Sequence, residues 1–143
     1  MPEASYAIPF GEAQVVREGK AVSIVTYGLM VHRALDAATA LAKEGVDAEV
    51  VDLRTLSPLD IDTVLESVQK TGHLVCVDEA NPRCSIAADV SAQVAQQAFR
   101  WLKGPIEMVT APHTPVPFSP VLEDLYIPSA TQVAAAVRRT LAH

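Results

Sequence analysis

The chain has only two cysteines in 143 residues, Cys76 and Cys84, and their spacing fits neither a zinc-ligand set nor a thioredoxin pair. A domain of this length buries roughly two-thirds of its unfolded surface, so it needs no disulfide or metal to hold a core. A reducing cytoplasm is the expected compartment. Basic residues are also scarce: 11 Lys and Arg against 17 Asp and Glu leave a net charge of −6 without a basic cluster. Nucleic acid would require the opposite field and is not an expected partner. No apolar run approaches the ~18 residues of a membrane span, so no membrane partner is expected either. Met1-Pro2-Glu3-Ala4-Ser5 lacks the positive start and apolar run of a signal peptide. Glycine is sparse, with six in all. The first strand–helix turn, Thr26-Tyr27-Gly28-Leu29-Met30, holds one of them where a dinucleotide site needs G-x-G-x-x-G. There is no P-loop and no G-x-S-x-G elbow, which argues against NAD, ATP and serine-hydrolase chemistry.

What remains is half hydrophobic and 20% charged, the balance of one globular domain. Short β-branched runs alternate with longer stretches of helical period. Val22–Tyr27 reads as a strand, followed by a helix with Val31, Ala34, Leu35, Ala38 and Leu41 on one stripe and Gly45 as its stop. Ala48–Leu53 is the next strand. Ser57-Pro58-Leu59-Asp60 predicts a helix capped by Ser57, with Pro58 in its first position, ending at Lys70-Thr71-Gly72. His73–Asp78 is a third strand, and Cys84 to about Lys103 a helix broken by Gly104-Pro105. Ile106–Thr110 is a fourth strand. Four prolines between Ala111 and Pro120 predict a stiff extended loop. Ser129 and Gln132 then form a capping box that opens the last helix, through Leu141. Met1–Gly11 reads as a linker, and Ala13–Arg17 as a short edge strand.

Such alternation gives a mainly parallel sheet with helices on both faces, whose ligands bind beyond the carboxyl ends of the strands. Those ends carry Tyr27 and Gly28, Asp52 and Arg54, Asp78 and Glu79, and His113. Asp52 and Arg54 are expected to pair across their strand end. Asp78-Glu79 offers acid–base chemistry, a helix cap or a salt bridge to a neighbouring subunit. The Pro-rich loop around His113 either contributes to a site or packs against another chain, and its stiffness lowers the entropy cost of packing. Cys76 reads as a buried thiol.

Several motifs, in order, resemble one family. They are Val22–Gly28, Val51-Asp52-Leu53-Arg54-Thr55-Leu56-Ser57-Pro58-Leu59-Asp60, Ser67–Gly72, Val75-Cys76-Val77-Asp78-Glu79-Ala80, and Ala111 to Pro128. The chain is similar from Tyr6 onward to the transketolase C-terminal domain of beta subunits in thiamine-diphosphate-dependent 2-oxo acid dehydrogenases of pyruvate, acetoin and branched-chain type. The resemblance implies a three-layer α/β/α fold, a five-stranded mainly parallel sheet with Ala13–Arg17 as one antiparallel edge strand. The short Glu18-Gly19-Lys20 turn alone would suggest a hairpin instead. It also implies a linker over residues 1–12 from a missing pyrimidine-binding domain, with the domain proper at 13–143. Many members carry Gly-x-Gly where this chain has Cys84-Ser85-Ile86, which weakens an anion site at that helix start.

The implied whole enzyme is a heterotetramer with an alpha subunit and a second beta subunit. It would decarboxylate a 2-oxo acid with thiamine diphosphate and magnesium and pass the acyl group to a lipoyl protein. This part would bind neither cofactor nor metal and contribute no catalytic residue. Its implied work is subunit association and docking of the acyltransferase subunit-binding domain, with Asp52, Arg54, Glu79 and His113 as the candidate assembly rim. A free-standing α/β module that binds a small ligand or regulates a partner is the alternative, separable by whether the reading frame continues upstream of Met1.

Overall fold

The computed structural model describes residues 7–143. The remainder of the expected linker, residues 1–6, lies outside them. Five strands, β1 (Gln14–Arg17), β2 (Val22–Thr26), β3 (Ala48–Asp52), β4 (Leu74–Asp78) and β5 (Glu107–Thr110), form one sheet in the order β1-β3-β2-β4-β5. β1 is antiparallel to β3, and all other pairs are parallel. Helices α1 (Leu29–Ala42) and α5 (Ala130–Leu141) cover one face, α2 (Ile61–Thr71) and α3 (Ile86–Gln97) the other. β2 shows why both faces close: Val22 and Ile24 pack with Ala34, Leu41 and Val137, while Val25 packs with Val64, Val68 and Val90. Each such aliphatic side chain contributes about 1.5–3 kcal/mol on burial. The three-layer, mainly parallel architecture expected from the sequence is the one observed.

β1 does not form a hairpin with β2. Gly19 crosses so close to β3 that an added Cβ would lie 2.3 Å from the Ala48 carbonyl carbon, which only glycine tolerates. Lys20 and Ala21 then donate to the Asp47 carbonyl at 3.0 and 2.8 Å, carrying the chain past β3 to β2 on its far side.

Helix ends follow the sequence with three corrections. Gly45, at φ 83°, closes α1 with bonds from Val46 N–H to Leu41 and from Gly45 N–H to Ala42 (3.0 and 3.1 Å), the left-handed ending expected there. The Ser129–Gln132 capping box is present in full. α2, however, is capped by Asp60 rather than Ser57. Asp60 accepts from Thr63 N–H (3.1 Å) and also from Ala13 N–H (2.8 Å), so one carboxylate starts the helix and anchors the approach to β1. Ser57-Pro58 instead belongs to a turn with a cis peptide, closed by a bridge between Leu56 and Leu59. α3 stops at Gln97, and a 3₁₀ turn over Phe99–Trp101 brings Trp101 and Leu102 back against the core. A short helix α4 (Pro120–Tyr126), for which no element was predicted, starts at the last residue of the Pro-rich loop, with Pro120 in its first turn.

A polar network interrupts the apolar face beneath α2. Glu49, the second residue of β3, is 1% exposed. It accepts from Ser67 Oγ (2.6 Å), Gly19 N–H (3.3 Å) and the Lys70 ammonium, which also meets Glu18 at 2.9 Å. Ser23 Oγ joins Ser67 Oγ and Thr71 Oγ1 at 2.6 and 2.7 Å. Glu49 first, and then Glu18, hold the Lys70 ammonium above its ordinary pKa.

Just before β4, beside Thr71 of this network, the buried His73 ring has Nδ1 3.4 Å from Thr140 Oγ1, and that hydroxyl donates to the Pro105 carbonyl at 2.7 Å. With its hydrogen committed to Pro105, the hydroxyl accepts and His73 carries its proton on Nδ1. Burial, and then the nearby Lys103 ammonium, lower the His73 pKa, while its bond toward Thr140 opposes them. The folded state therefore takes up this proton at a lower pH than the unfolded chain, whose histidine titrates near 6.5. Stability is expected to be unaffected by this group above that pH and to fall as pH drops below it. Urea unfolding at pH 7.5 and pH 5.5 checks this, with His73→Gln expected to flatten the difference.

Candidate functional site at the carboxyl ends of the strands

From β2 the chain runs through α1 to β3 on one side, and later strands lie on the other, so the sheet order reverses between β2 and β4. Ligands of such sheets enter at this point. Here it is closed by a carboxylate. Asp78, fully buried at the end of β4, accepts from Tyr27 Oη (2.7 Å), Ala80 N–H (2.9 Å) and Ala87 N–H (3.2 Å). It thereby ties the end of β2 to the first turn of α3, which Ser85 caps through Ala88 N–H at 3.2 Å. Burial first, and then Asp78, push the Tyr27 hydroxyl far above the usual tyrosine range. Of the roles open to the Asp78-Glu79 pair, the geometry gives Asp78 the helix-capping one. The crevice left beside Tyr27, Leu53, Cys76 and Ile86 has a volume of about 10 Å³, enough for one water. Burial pushes the Cys76 thiol up to about 12, as expected for an inert core cysteine.

The expected Asp52–Arg54 pairing is not formed through side chains. Asp52 Oδ1 accepts the backbone N–H of Arg54 at 2.9 Å, a local turn that places Arg54 at φ 57°. The guanidinium leaves Asp52 and donates to Gln14 Oε1 on β1. The physical reason is register: antiparallel pairing sets Gln14 directly opposite Asp52. β2 separates β3 from β4, so this pair and Glu79 are about two strand spacings, roughly 10 Å, apart. Glu79 and His113 are both exposed, Glu79 after β4 and His113 in the loop after β5. The four rim residues thus lie at one pole without converging on one reacting atom.

That pole also gathers apolar surface. Among the described residues the large exposed hydrophobics are Ile8, Phe10, Leu29, Phe99, Val116, Phe118, Val121, Leu122 and Leu125. All except Phe99 sit on segments that begin or end at the carboxyl ends of the parallel strands. Ile8 and Phe10 lead into β1, where Gly11 N–H donates to Thr55 Oγ1 at 2.9 Å. α4 has no buried residue, and Phe118 is fully exposed. Tyr126 and Ile127 are half-buried, because Ile127 packs on the core and Tyr126 Oη donates to the Thr114 carbonyl at 3.1 Å. The rim named from the sequence contained none of these apolar side chains. A signal for α4 was present in Ser119-Pro120 with Glu123 in the first turn.

The chain is thus a three-layer α/β/α domain with a sealed switch point and an apolar pole. The transketolase C-terminal domain family matches residues 11–133, and the chain belongs to that family. The beta subunit of acetoin:2,6-dichlorophenolindophenol oxidoreductase from Cupriavidus necator is 76% identical over 141 residues, covering 99% of this chain and 42% of its own length. The pyruvate dehydrogenase E1 component beta subunit of Bacillus subtilis is 48% identical, over 99% of this chain and 43% of its own. Among solved structures, a split-gene transketolase described as an inactive beta4 tetramer superposes with a TM-score of 0.79 at 32% identity, over 96% of this chain and 43% of that one. The chain spans about two-fifths of the length of the curated relatives it matches.

Proposed function

We propose that this chain is the C-terminal assembly domain of a thiamine-diphosphate-dependent beta subunit, with residues 1–12 as a linker and 13–143 as the domain. The observation that carries the reading is the gathering of exposed apolar side chains at the pole bearing Asp52, Arg54, Glu79 and His113. A monomer rarely leaves such a patch to water. The partners are an alpha subunit, a second beta subunit and the subunit-binding domain of an acyltransferase. The relative at 76% identity favours acetoin as the substrate of the whole protein over pyruvate or a branched-chain 2-oxo acid. No membrane-crossing helix is present among the described residues, and a cytoplasmic location is part of the proposal.

The residues of this domain do not fit thiamine diphosphate. The switch-point crevice is about 10 Å³, and no group of three His, Cys, Asp or Glu among the described residues is arranged to hold a metal. No chemical step is therefore assigned here, and the cofactor belongs to the rest of the enzyme. Calorimetric titration of the isolated chain with thiamine diphosphate and magnesium is expected to give no measurable heat of binding, and micromolar affinity would refute this assignment.

Assembly is tested in the full-length subunit. Arg54→Ala removes the bond to Gln14 that fixes the chain beside the rim, and is expected to weaken association by about 0.5–1.5 kcal/mol. Activity should return at high subunit concentration, because mass action restores the complex. His113→Gln should leave turnover of the assembled enzyme unchanged. Normal assembly with lost turnover in either variant would replace the assembly reading with a catalytic one.

A further inference from the structure

We propose that the groove between the Pro-rich loop and α4 receives an apolar side chain flanked by lysine or arginine from a partner protein. This rests on the assembly reading and specifies the chemistry of one contact within it. The groove is open, about 260 Å³, and lined by Glu79, Val116, Glu123, Tyr126 and Ile127. That volume accommodates one large side chain, and Val116, Tyr126 and Ile127 offer it an apolar wall. The wall is preorganised: prolines flank Val116 on both sides, and the Tyr126 hydroxyl bridges back to the Thr114 carbonyl. Little entropy is lost when such a surface docks.

Charge sets the partner. Glu79 and Glu123 both line the groove, and no lysine, arginine or histidine does. Among the described residues, neither carboxylate takes part in an ion pair or a side-chain hydrogen bond, although four ion pairs form elsewhere. Two free carboxylates beside an apolar slot attract a cation carried next to an apolar residue and repel an acidic segment. A second copy of this chain is the less suitable occupant. It carries a net charge of −6, and a twofold contact through this face would set the same carboxylates against each other.

The test uses the 143-residue chain, isotope-labelled, titrated with two blocked peptides: acetyl-Lys-Leu-Phe-Arg-amide and its counterpart with glutamate in both charged positions. The basic peptide is expected to shift the Val116, Tyr126 and Ile127 resonances, with affinity roughly tenfold above the acidic one at low salt. Glu79→Gln combined with Glu123→Gln, both on the surface, should remove that preference while leaving the spectrum otherwise native. Equal response to the two peptides, response centred elsewhere, or none up to the solubility limit overturns the proposal. So does self-association that grows stronger in the double variant, since that identifies a second copy as the occupant. The two readings fail separately. Loss of assembly in Arg54→Ala with no peptide response removes only the groove inference. A charge-selective peptide response with unimpaired rim variants removes the assembly reading instead.

Discussion

Asp78→Ala is expected to destabilise the domain by about 3–5 kcal/mol, because three hydrogen bonds converge on that fully buried carboxylate and two backbone N–H groups would lose their acceptor. For a domain of this size the loss lowers Tm by roughly 10–20 °C. Asp78→Asn keeps one acceptor oxygen but presents an amide N–H₂ where an acceptor is required. Its expected cost is about 2 kcal/mol, below that of alanine. Tyr27→Phe removes one of the three bonds and should cost about 1–1.5 kcal/mol. Thermal and urea unfolding of the three variants checks the order. An alanine variant within 1 kcal/mol of the parent would show that Asp78 is not the tie between β2 and α3.

Lys70→Ala carries the second large effect. It removes the ammonium that faces Glu49, and it leaves a carboxylate that is 1% exposed with only Ser67 and Gly19 as donors. Breaking a buried pair this way costs about 3–5 kcal/mol when both partners are enclosed. Lys70 is 40% exposed, so water relieves part of that cost, and about 2–3 kcal/mol is expected. Glu49→Gln should cost less, since the amide still accepts from Ser67 while Lys70 keeps Glu18. Replacing both, Glu49→Leu with Lys70→Met, is expected to recover most of the loss, because an apolar pair needs no desolvation of charge. A double-mutant cycle in urea measures the coupling. A Lys70→Ala cost below about 0.5 kcal/mol would place the pair with ordinary surface ion pairs.

The contrast between α5 and α2 shows how far local sequence reaches. Ser129 has one competitor-free capping box, and the helix starts where the box says. Ser57 and Asp60 both satisfy the cap rule, and the choice is made by Ala13, which is 47 residues away in sequence and needs an acceptor. α3 ends at Gln97 without a glycine or proline, since the helix yields to the packing of Trp101 and Leu102 on the core of its own face of the sheet. The Pro-rich segment concealed α4 because proline count argues against helix interiors, yet Pro120 occupies a first turn, where its missing N–H costs nothing. At the rim, strand ends named the residues but not their partners. Arg54 turns to Gln14 because of an antiparallel register that no local pattern encodes. Glu49 showed itself only as one charge in the run Ala48-Glu49-Val50-Val51, a small signal for the buried network it organises.

The direction of β1 has a practical consequence. Running against its neighbour, β1 begins at the pole where the other strands finish, and Gly11 is fastened there to Thr55. α5 runs the other way and finishes beside His73 and Pro105, where β4 and β5 begin. The two ends of the described chain therefore leave from opposite poles. A reporter or purification handle fused after His143 projects away from the apolar pole and leaves it open to partners. The same handle fused ahead of residue 7 is tethered within a short linker of that surface, at millimolar effective concentration, and competes for it.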